Sequence, residues 1–449
     1  MGKLFGTDGI RGIVNQEPIT PEVGFKIGRS VVHHSKRGKS QPKIVIGRDT
    51  RESGRTLEAA VVSGILSLGA DAVLVGELPT PGVAFVSREI GADAGIMISA
   101  SHNPSEYNGF KIFSGRGYKL SDEMEAGIEA LILAEVGATS NEGHLDLREK
   151  KQMAEAGERY ITFLRNTLPE EFTLKGMEIV LDCANGATYA LAPTLFEQMG
   201  AKVESLFVTP DGKNINHHCG SQYPEMLRAR VLETGAMLGL AFDGDGDRLV
   251  AVDEKGNALT GDQVLIICAK TLKDRGELTN NLVVSTVMSN MGLPIALKDL
   301  GINHISTKVG DRYVLEEMRA KGAILGGENS GHMIFLRHHT TGDGLLSALQ
   351  LLVAIKTSDQ TLSQLSALMT LFPQAMANVS VKKNPEIPSV PELVKVLQRV
   401  ETSLGEKGRV LVRYSGTEPV CRVMVEGEKQ EEIEEYARQI ADVVRKKLN

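Results

Sequence analysis

Short apolar runs alternate with helical patterns along most of the chain. Strands are predicted at residues 43–47, 72–76 and 95–98, with a helical pattern at 57–68 between the first two. The same order returns with strands at 178–181, 203–208 and 238–242, and again with strands at 282–284, just before 307, and at 323–325. Strands that alternate with helices form mostly parallel sheets with right-handed crossovers. The pattern therefore predicts three consecutive α/β domains with mixed or parallel sheets.

The final segment has a different pattern. Strands predicted at 410–412 and 421–425 flank a polar loop, and the last helix carries apolar residues at helical spacing. This predicts a smaller C-terminal α+β domain. We place the four domains at residues 1–154, 155–254, 255–368 and 369–449.

The third strand of each α/β cycle ends in an unusual polar loop. These loops are residues 99–104 (SASHNP), 243–248 (DGDGDR) and 326–332 (GGENSGH). One polar turn after a core strand needs no function. Open α/β sheets, however, bind ligands beyond the carboxyl ends of their strands, so three such loops predict one shared site around a central cleft.

The first loop concentrates reactive groups. Ser101 offers a hydroxyl, His102 an imidazole and Lys111 an ammonium group close together in the sequence. Near the start of the chain, residues 5–12 (FGTDGIRG) contain three glycines, which imply a tight loop that brings Arg11 near a ligand. A plain turn is an equally good interpretation of that stretch alone.

The second loop is acidic and predicts a metal site. Asp243, Asp245 and Asp247 alternate with glycines, and three carboxylates this close repel one another unless a cation lies between them. Carboxylate oxygens suit Mg²⁺. An EF-hand loop is the alternative, but Arg248 takes its obligatory glycine position and the flanking residues are predicted strands. A solvated acidic turn is the simpler interpretation, but apolar strands on both sides would bury its ends.

The third loop suits a sugar, because it offers donors and acceptors between glycines. Its candidates are Glu328, Asn329, Ser330 and His332. A satisfied polar loop would explain this motif if it stood alone.

The C-terminal loop RYSGTEP and the strand after it suit a phosphate. Arginine offers a fork of donors, hydroxyls donate, and glycine lets backbone N–H groups approach. The candidates are Arg413, Ser415, Gly416, Thr417 and Arg422. A polar hairpin loop would not need two arginines. A hydroxyl, a metal loop, a polyol-reading loop and a phosphate clamp together fit phosphoryl transfer to or from a phosphosugar.

Composition excludes several classes of protein function and location. The chain has 449 residues, of which 42% are hydrophobic, and a net charge of −7, which favours neither a nucleic-acid-binding nor a membrane-binding protein. No run is long and apolar enough to span a bilayer, and the first residues lack the apolar core of a signal peptide. The four cysteines show no CxxC spacing, so reduced thiols in a cytoplasmic protein are expected.

As a set, the motifs resemble those of the α-D-phosphohexomutase superfamily and, within it, the phosphoglucosamine mutase family. The resemblance covers essentially the whole chain in the family's four-domain order. The motifs are KLFGTDGIRG, SASHNP followed by NGFK, DGDGDR, GGENSGH, TTGDGLLSAL (340–349), and RYSGTEP followed by CRVMVEG.

The resemblance implies interconversion of glucosamine 6-phosphate and glucosamine 1-phosphate, feeding UDP-N-acetylglucosamine synthesis. Ser101 would be a phosphoserine, glucosamine 1,6-bisphosphate the bound intermediate and activator, and Mg²⁺ would be held by the three aspartates together with Ser101. Lys111 would be the general base, with nearby cations lowering its pKa, and Arg11 and His102 would surround the transferring phosphoryl group. The implied substrate contacts are Arg248, Gly310, Glu328, Asn329, Ser330 and His332.

Two alternatives stay open at this point. The enzyme could prefer glucose or mannose phosphates, or the chain could be a noncatalytic sugar-phosphate sensor. Retention of Ser101, Lys111 and the three aspartates argues against a sensor, which has no use for a nucleophile. A homodimer is one assembly that the resemblance allows, with a small phosphosugar as the partner and neither nucleic acid nor membrane expected.

Overall fold

The computed structural model describes residues 4–6, 8–35, 41–134, 150–414 and 419–449. The chain divides into two compact units. The first comprises residues 1–288 and 302–368, and the second comprises residues 289–301 and 369–449.

The first unit begins with a six-stranded mixed sheet in the order β1-β5-β4-β2-β3-β6. Its central strand β4 is buried along its whole length, as its apolar sequence predicts. Helices α1 and α2 pack closely at Gly28. A Cβ there would lie 2.2 Å from the Val61 carbonyl oxygen, so the contact requires a glycine. The elements are β1 (Ile10–Ile13), α1 (Pro21–Ser35), β2 (Lys43–Arg48), α2 (Glu52–Leu66), β3 (Asp71–Glu77), α3 (Thr80–Glu89), β4 (Ala94–Ile98), β5 (Tyr107–Ser114), α4 (Asp122–Leu133), β6 (Lys150–Gln152) and α5 (Ala156–Arg165).

A five-stranded sheet follows, in the order β11-β10-β9-β7-β8. Strand β9 pairs in parallel with β7 and antiparallel with β10, so the acidic loop is the connection between two antiparallel strands. The elements are β7 (Glu178–Asp182), α6 (Leu191–Gln198), β8 (Lys202–Leu206), α7 (Glu225–Thr234), β9 (Leu238–Phe242), β10 (Leu249–Asp253) and β11 (Ala258–Leu259).

The third sheet has four strands in the order β13-β12-β14-β15. Helix α8 starts at a capping box, in which Thr260 and Gln263 satisfy each other's backbone N–H groups. Asp343 caps α11 by accepting from the Leu346 N–H at 3.0 Å. The elements are α8 (Gly261–Asp274), β12 (Leu282–Thr286), α9 (Gly292–Asp299, which belongs to the second unit), β13 (Asn303–Thr307), α10 (Asp311–Lys321), β14 (Leu325–Gly327), β15 (Met333–Phe335), α11 (Gly344–Ser358) and α12 (Leu362–Ser366).

The C-terminal part of the second unit is a three-stranded antiparallel sheet in the order β16-β18-β17, covered by helices. Its core contains the apolar stripe of the last helix, including Ile433, Ile440, Val444 and Leu448. The elements are β16 (Gln374–Ser380), α13 (Pro391–Leu404), β17 (Gly408–Tyr414), β18 (Val420–Gly427) and α14 (Gln430–Leu448).

The predicted fold class, three α/β domains followed by a smaller C-terminal domain, is confirmed. Several local features differ from the prediction. The third strand of the third sheet is β14 at Leu325–Gly327 instead of 323–325, and the unpredicted elements include β1, β5, β6, β11, β15, β16 and α13. The four domain boundaries stay a prediction. Among the described residues, no helix is long and apolar enough to cross a membrane.

Candidate active site

Ser101 lies at the carboxyl end of β4, in contact with the acidic loop after β9. Its side chain is fully buried, and its hydroxyl donates to Asp243 Oδ2 at 2.5 Å. Its backbone has a φ of 53°, in the left-handed region that a serine rarely adopts. Two of the three strand-end loops therefore meet at one hydroxyl, as their positions in the sequence predicted.

The three aspartates of the acidic loop form one buried cluster. One ligand oxygen from each of Asp243, Asp245 and Asp247 lies within 4.8 Å of the others. Burial, with Asp247 and Asp245 beside it, raises the pKa of Asp243 to about 8. The Oδ1 atoms of Asp245 and Asp247 are buried and accept no hydrogen bond from the residues that the structure describes. Unsatisfied buried carboxylate oxygens of this kind fit a hard divalent cation such as Mg²⁺.

Lys111 lies on β5 and not in the loop after β4. This strand pairs with β4 and carries the ammonium group to the acidic cluster, where Nζ lies 2.7 Å from Asp245 Oδ2 and 2.9 Å from Asp247 Oδ2. Burial lowers the pKa of Lys111, but the carboxylates of Asp245, Asp247 and Asp8 outweigh it and hold the pKa well above its usual value. The expected lowering of this pKa by nearby cations is therefore wrong for this arrangement, because carboxylates are its nearest neighbours.

Six alternating charges close into a ring beside this cluster, which we call the charge ring. Its cations are Lys111, Lys119 and His332, and its anions are Asp8, Asp247 and Asp311. Lys111 Nζ lies 3.1 Å from Asp8 Oδ2, and Lys119 forms ion pairs with Asp8 and Asp311. The His332 ring lies between two aspartates: its Nε2 is 3.3 Å from Asp311 Oδ2, and its Nδ1 is 3.6 Å from Asp247 Oδ1. The ring ties the first, second and third sheets together at their polar loops.

His332 completes this ring from the third loop. Burial lowers its pKa, but Asp247 and Asp311 outweigh the burial and raise the pKa to about 10, so the imidazole is a cation here. Glu328 accepts from the Gly310 N–H at 3.1 Å, which places both predicted sugar contacts side by side. Ser330 has a buried hydroxyl without a hydrogen bond to any described residue, whereas Asn329 is exposed.

Of the other predicted catalytic residues, His102 lies next to the Ser101 hydroxyl and Arg11 contacts the charge ring. His102 Nδ1 lies 3.3 Å from Ser101 Oγ. Burial, with Arg248 and Arg11 nearby, lowers the pKa of His102 to about 3, so its imidazole is neutral. Arg11 forms an ion pair with Asp8, and Arg248 Nε lies 3.8 Å from Asp247 Oδ1.

In the second unit, Arg413 and Arg422 are directly opposite residues on β17 and β18. Burial and the neighbouring Arg422 lower the pKa of Arg413. Like charges directly opposite each other destabilise a sheet, so this pair suits an anion. The predicted phosphate-binding residues Ser415, Gly416 and Thr417 lie outside the described residues.

Three members of the charge ring were not identified from the sequence. Asp8 lies in the same glycine-rich stretch as Arg11, and Asp311 directly follows Gly310. Both could have been found, because each is close in sequence to a predicted site residue. Lys119 had none, since its two partners are far from it in sequence. Thr80, which donates to Asp245, was also missed.

Family models of known proteins match along the chain. The phosphoglucomutase/phosphomannomutase models for alpha/beta/alpha domains I, II and III match residues 2–137, 158–256 and 260–372, and the model for the C-terminal domain matches residues 376–443. A curated relative from Syntrophus aciditrophicus, named phosphoglucosamine mutase, is 58% identical over 448 residues, with 100% of both chains covered.

Solved structures show the same fold. A phosphoglucomutase/phosphomannomutase family protein from Burkholderia thailandensis has a TM-score of 0.79 and 25% identity, with 99% of this chain and 98% of that chain covered. An N-acetylphosphoglucosamine mutase from Aspergillus fumigatus, solved in complex with GlcNAc-6P and magnesium, has a TM-score of 0.67 and 17% identity, with 99% and 96% covered. At that identity, the second similarity is one of fold.

Proposed function

Because the chain belongs to the phosphoglucomutase/phosphomannomutase family, we propose that it interconverts glucosamine 6-phosphate and glucosamine 1-phosphate. The family predicted from the sequence motifs is confirmed. The choice of sugar rests on the 58% identical relative that is named phosphoglucosamine mutase. The observation that carries the chemistry is the buried Ser101 hydroxyl, 2.5 Å from an aspartate of the acidic cluster.

Ser101 carries the phosphoryl group in this proposal. In the first half-reaction, a sugar hydroxyl oxygen attacks phosphorus, a new O–P bond forms and the Oγ–P bond of the phosphoserine breaks. The product is glucosamine 1,6-bisphosphate. In the second half-reaction, Ser101 Oγ attacks the other phosphate of that bisphosphate, and the isomeric monophosphate leaves. The enzyme thus ends in its starting state.

The proton of the attacking hydroxyl needs an acceptor, and Lys111 is our candidate general base. In the arrangement described above its ammonium group neutralises Asp245 and Asp247 and holds its own proton. Lys111 therefore acts as a base only in a state in which those carboxylates no longer hold it charged. The neutral imidazole of His102, 3.3 Å from Ser101 Oγ, is a second acceptor for the Ser101 hydroxyl, available when that hydroxyl does not donate to Asp243.

Asp243, Asp245 and Asp247 would hold Mg²⁺ together with an oxygen on Ser101. The two buried Oδ1 atoms that accept no hydrogen bond support this assignment. When bound, the ion would neutralise charge on the phosphoryl oxygens. Arg11 pairs with Asp8 and Arg248 lies near Asp247, both members of the charge ring. The two arginines would add positive charge next to the transferring group.

We assign sugar and phosphate recognition to separate residues. The proposed sugar contacts are Arg248, Gly310, Glu328, Asn329, Ser330 and His332. Glu328 supports this role because, among the described residues, its carboxylate accepts one hydrogen bond, from the Gly310 N–H, which leaves acceptor capacity for sugar hydroxyls or an amine. The proposed phosphate contacts are Arg413, Ser415, Gly416, Thr417 and Arg422.

The test is turnover of glucosamine 6-phosphate and glucose 6-phosphate by the full chain with Mg²⁺ and a bisphosphate activator. We expect higher kcat/KM for glucosamine 6-phosphate and a mass increase of one phosphoryl group on part of the purified protein. Ser101→Ala should lower kcat by at least about 10³-fold and abolish that mass increase, as expected for loss of a nucleophile. Ser105→Ala, in the same loop, is the matched control and should keep both.

The outcomes separate the alternatives. A preference for glucose 6-phosphate would overturn the choice of sugar and leave the phosphoserine mechanism standing. Turnover of neither sugar phosphate, with binding retained, would favour a sensor. Full activity of Ser101→Ala would refute the phosphoserine mechanism itself.

A further inference from the structure

We propose that Arg51 and Asn216 form a clasp that positions Ser101 for phosphoryl transfer. The clasp holds the backbone carbonyl groups of Ser101 and Asn103 from two sides. Arg51 comes from the segment between β2 and α2, and Asn216 from the loop between β8 and α7. Within the part of the chain that the structure describes, no side-chain hydrogen bond joins either residue to the acidic cluster, so both are positioning residues. The proposal rests on the role of Ser101 given above.

Ser101 needs such support because of its backbone conformation. Its φ of 53° lies in the left-handed region, where a Cβ crowds the following carbonyl group. Non-glycine residues persist in that region only when the surrounding structure holds them there. If the loop relaxed, the Ser101 hydroxyl would turn away from Asp243 Oδ2. The groups that hold the peptide units on either side of Ser101 therefore determine where the nucleophile points.

Arg51 holds the loop from the side of the first sheet. Its side chain is completely buried, and its guanidinium donates to three carbonyl oxygens: Nη2 to Ser101 at 3.0 Å and to Asn103 at 2.8 Å, and Nη1 to Pro104 at 2.6 Å. Its Nε donates to Asp49 Oδ2 at 2.9 Å. A planar fork with fixed donor directions can hold three carbonyl groups at once, which an ammonium group cannot do with the same geometry.

The same network reaches the N–H group of Ser101. Asp49 Oδ2 also accepts from the Ser99 hydroxyl at 2.5 Å, and Ser99 Oγ accepts from the Ser101 N–H at 2.9 Å. Both peptide units of Ser101 are thus tied to the segment that carries Asp49 and Arg51. Asp49 and Arg51 are each fully buried and compensate each other's charge.

Asn216 holds the loop from the side of the second sheet. Its Nδ2 donates to the carbonyl oxygens of Ser101 and Asn103, each at 2.9 Å. Its backbone N–H donates to the Ala184 carbonyl at 2.9 Å, which anchors it next to the end of β7. Ser101 and Asn103 each accept from both clasp residues, so the clasp fills both acceptor positions of each oxygen. It therefore fixes the Ser101 loop relative to the sheet that carries Asp243.

The acidic loop packs directly against this clasp. A Cβ at Gly244 would lie 2.6 Å from the Ser101 carbonyl oxygen and 2.7 Å from Asn216 Nδ2. Only a glycine fits between Asp243 and Asp245 at that position. Gly244 thus allows the Ser101 loop to pack against the acidic loop. The clasp, Ser101 and the proposed metal ligands therefore lie in direct contact.

The test compares variants of the clasp in the full chain. Asn216→Ala removes two of the donations to the loop, and Asn216→Asp sets a carboxylate oxygen against two carbonyl oxygens. We expect kcat to fall about 10-fold and about 10²-fold respectively, since small displacements of a reacting group cost rates of that order. KM should change by less than about threefold, because neither clasp residue is among the proposed sugar contacts. Arg51→Lys should also lower kcat while KM is kept.

Hydrogen exchange of residues 99–104, followed by mass spectrometry, gives a readout that does not depend on activity. Exchange there should be faster in Asn216→Ala than in the unaltered protein. Asn214→Ala is the matched control, because its amide donates within its own loop, to the Thr209 carbonyl at 3.0 Å. The control should keep kcat and the exchange pattern of 99–104.

Unchanged kcat and unchanged exchange in Asn216→Asp would overturn the clasp. An equal loss in Asn214→Ala would overturn it as well, because the effect would then belong to the loop in general. If Arg51→Lys fails to fold, the two Asn216 variants decide the question. If the unaltered protein turns over neither sugar phosphate, the proposed function fails, and the exchange comparison still decides whether the clasp holds the loop.

Discussion

Replacing Lys119 with methionine removes one cation from the charge ring while keeping most of the volume of the side chain. Lys119 lies between Asp8 and Asp311 and is 8% exposed in its side chain. Burial lowers its pKa, but the two carboxylates outweigh the burial and raise it, so the residue is charged in the folded protein. The variant leaves two buried carboxylates with fewer partners.

The partners that stay determine the size of the loss. Removing one member of a buried ion pair typically costs about 3–5 kcal/mol, because a charge is left buried without compensation. Asp8 keeps Arg11 and Lys111, and Asp311 keeps His332 at 3.3 Å. Neither carboxylate is left entirely alone. We therefore expect the lower end of that range, a loss of about 3 kcal/mol in the stability of the first unit.

Calorimetry in the presence of a chelator measures this loss in the metal-free protein. A loss of about 3 kcal/mol should lower the transition midpoint by roughly 4 °C in a unit of this size, because the unfolding entropy is about 2.1 cal/mol/K per residue. Lys202→Met is the matched control, because Lys202 pairs with Glu178 at 3.1 Å but is 77% exposed in its side chain. An exposed pair contributes roughly 0–1 kcal/mol, so the control should shift the midpoint little.

A second substitution separates charge from packing. Asp311→Asn in the Lys119→Met background removes one of the two carboxylates that lost a partner and should restore part of the lost stability. If Lys119→Met shifts the midpoint no more than Lys202→Met, the ring contributes nothing and the reasoning is wrong. If the double variant is no more stable than the single one, the loss comes from packing and not from charge.

Three further predictions concern single groups. Burial raises the pKa of Asp343 to about 7. The folded protein therefore keeps a proton that the unfolded chain releases near pH 4, and its stability should fall as the pH rises between about 4 and 7. Asp343→Asn should remove this fall in stability, which is on the order of a few kcal/mol; if the difference between the unfolding midpoints at pH 5 and pH 8 is the same in both proteins, the assignment is wrong. Asp245→Asn removes an anionic ligand and should raise the Mg²⁺ concentration needed for half-maximal turnover, whereas a wild type that is fully active in chelator would show that no metal is used. Arg422→Ala should weaken sugar-phosphate binding by about 2–5 kcal/mol, measured as KM, and an unchanged KM and kcat would mean that this arginine contacts no phosphate.

The sequence by itself determined the family and the fold class, and it predicted which residues make up the site. Ser101 and the acidic loop could be identified because each follows an apolar strand, and such strand-loop patterns are local. The three polar strand ends could also be predicted to share one site, because open α/β sheets bind ligands beyond the carboxyl ends of their strands.

The tertiary structure decided which charges meet. Lys111 reaches the acidic cluster because β5 pairs with β4, and its pKa is raised because its neighbours are carboxylates. Lys119 joins the charge ring through Asp311, which is 192 residues away in the chain. Asn216 reaches the Ser101 carbonyl from 115 residues away. No local pattern encodes such contacts, because a lone lysine or asparagine in a loop has the same neighbours in sequence whether or not distant segments fold against it.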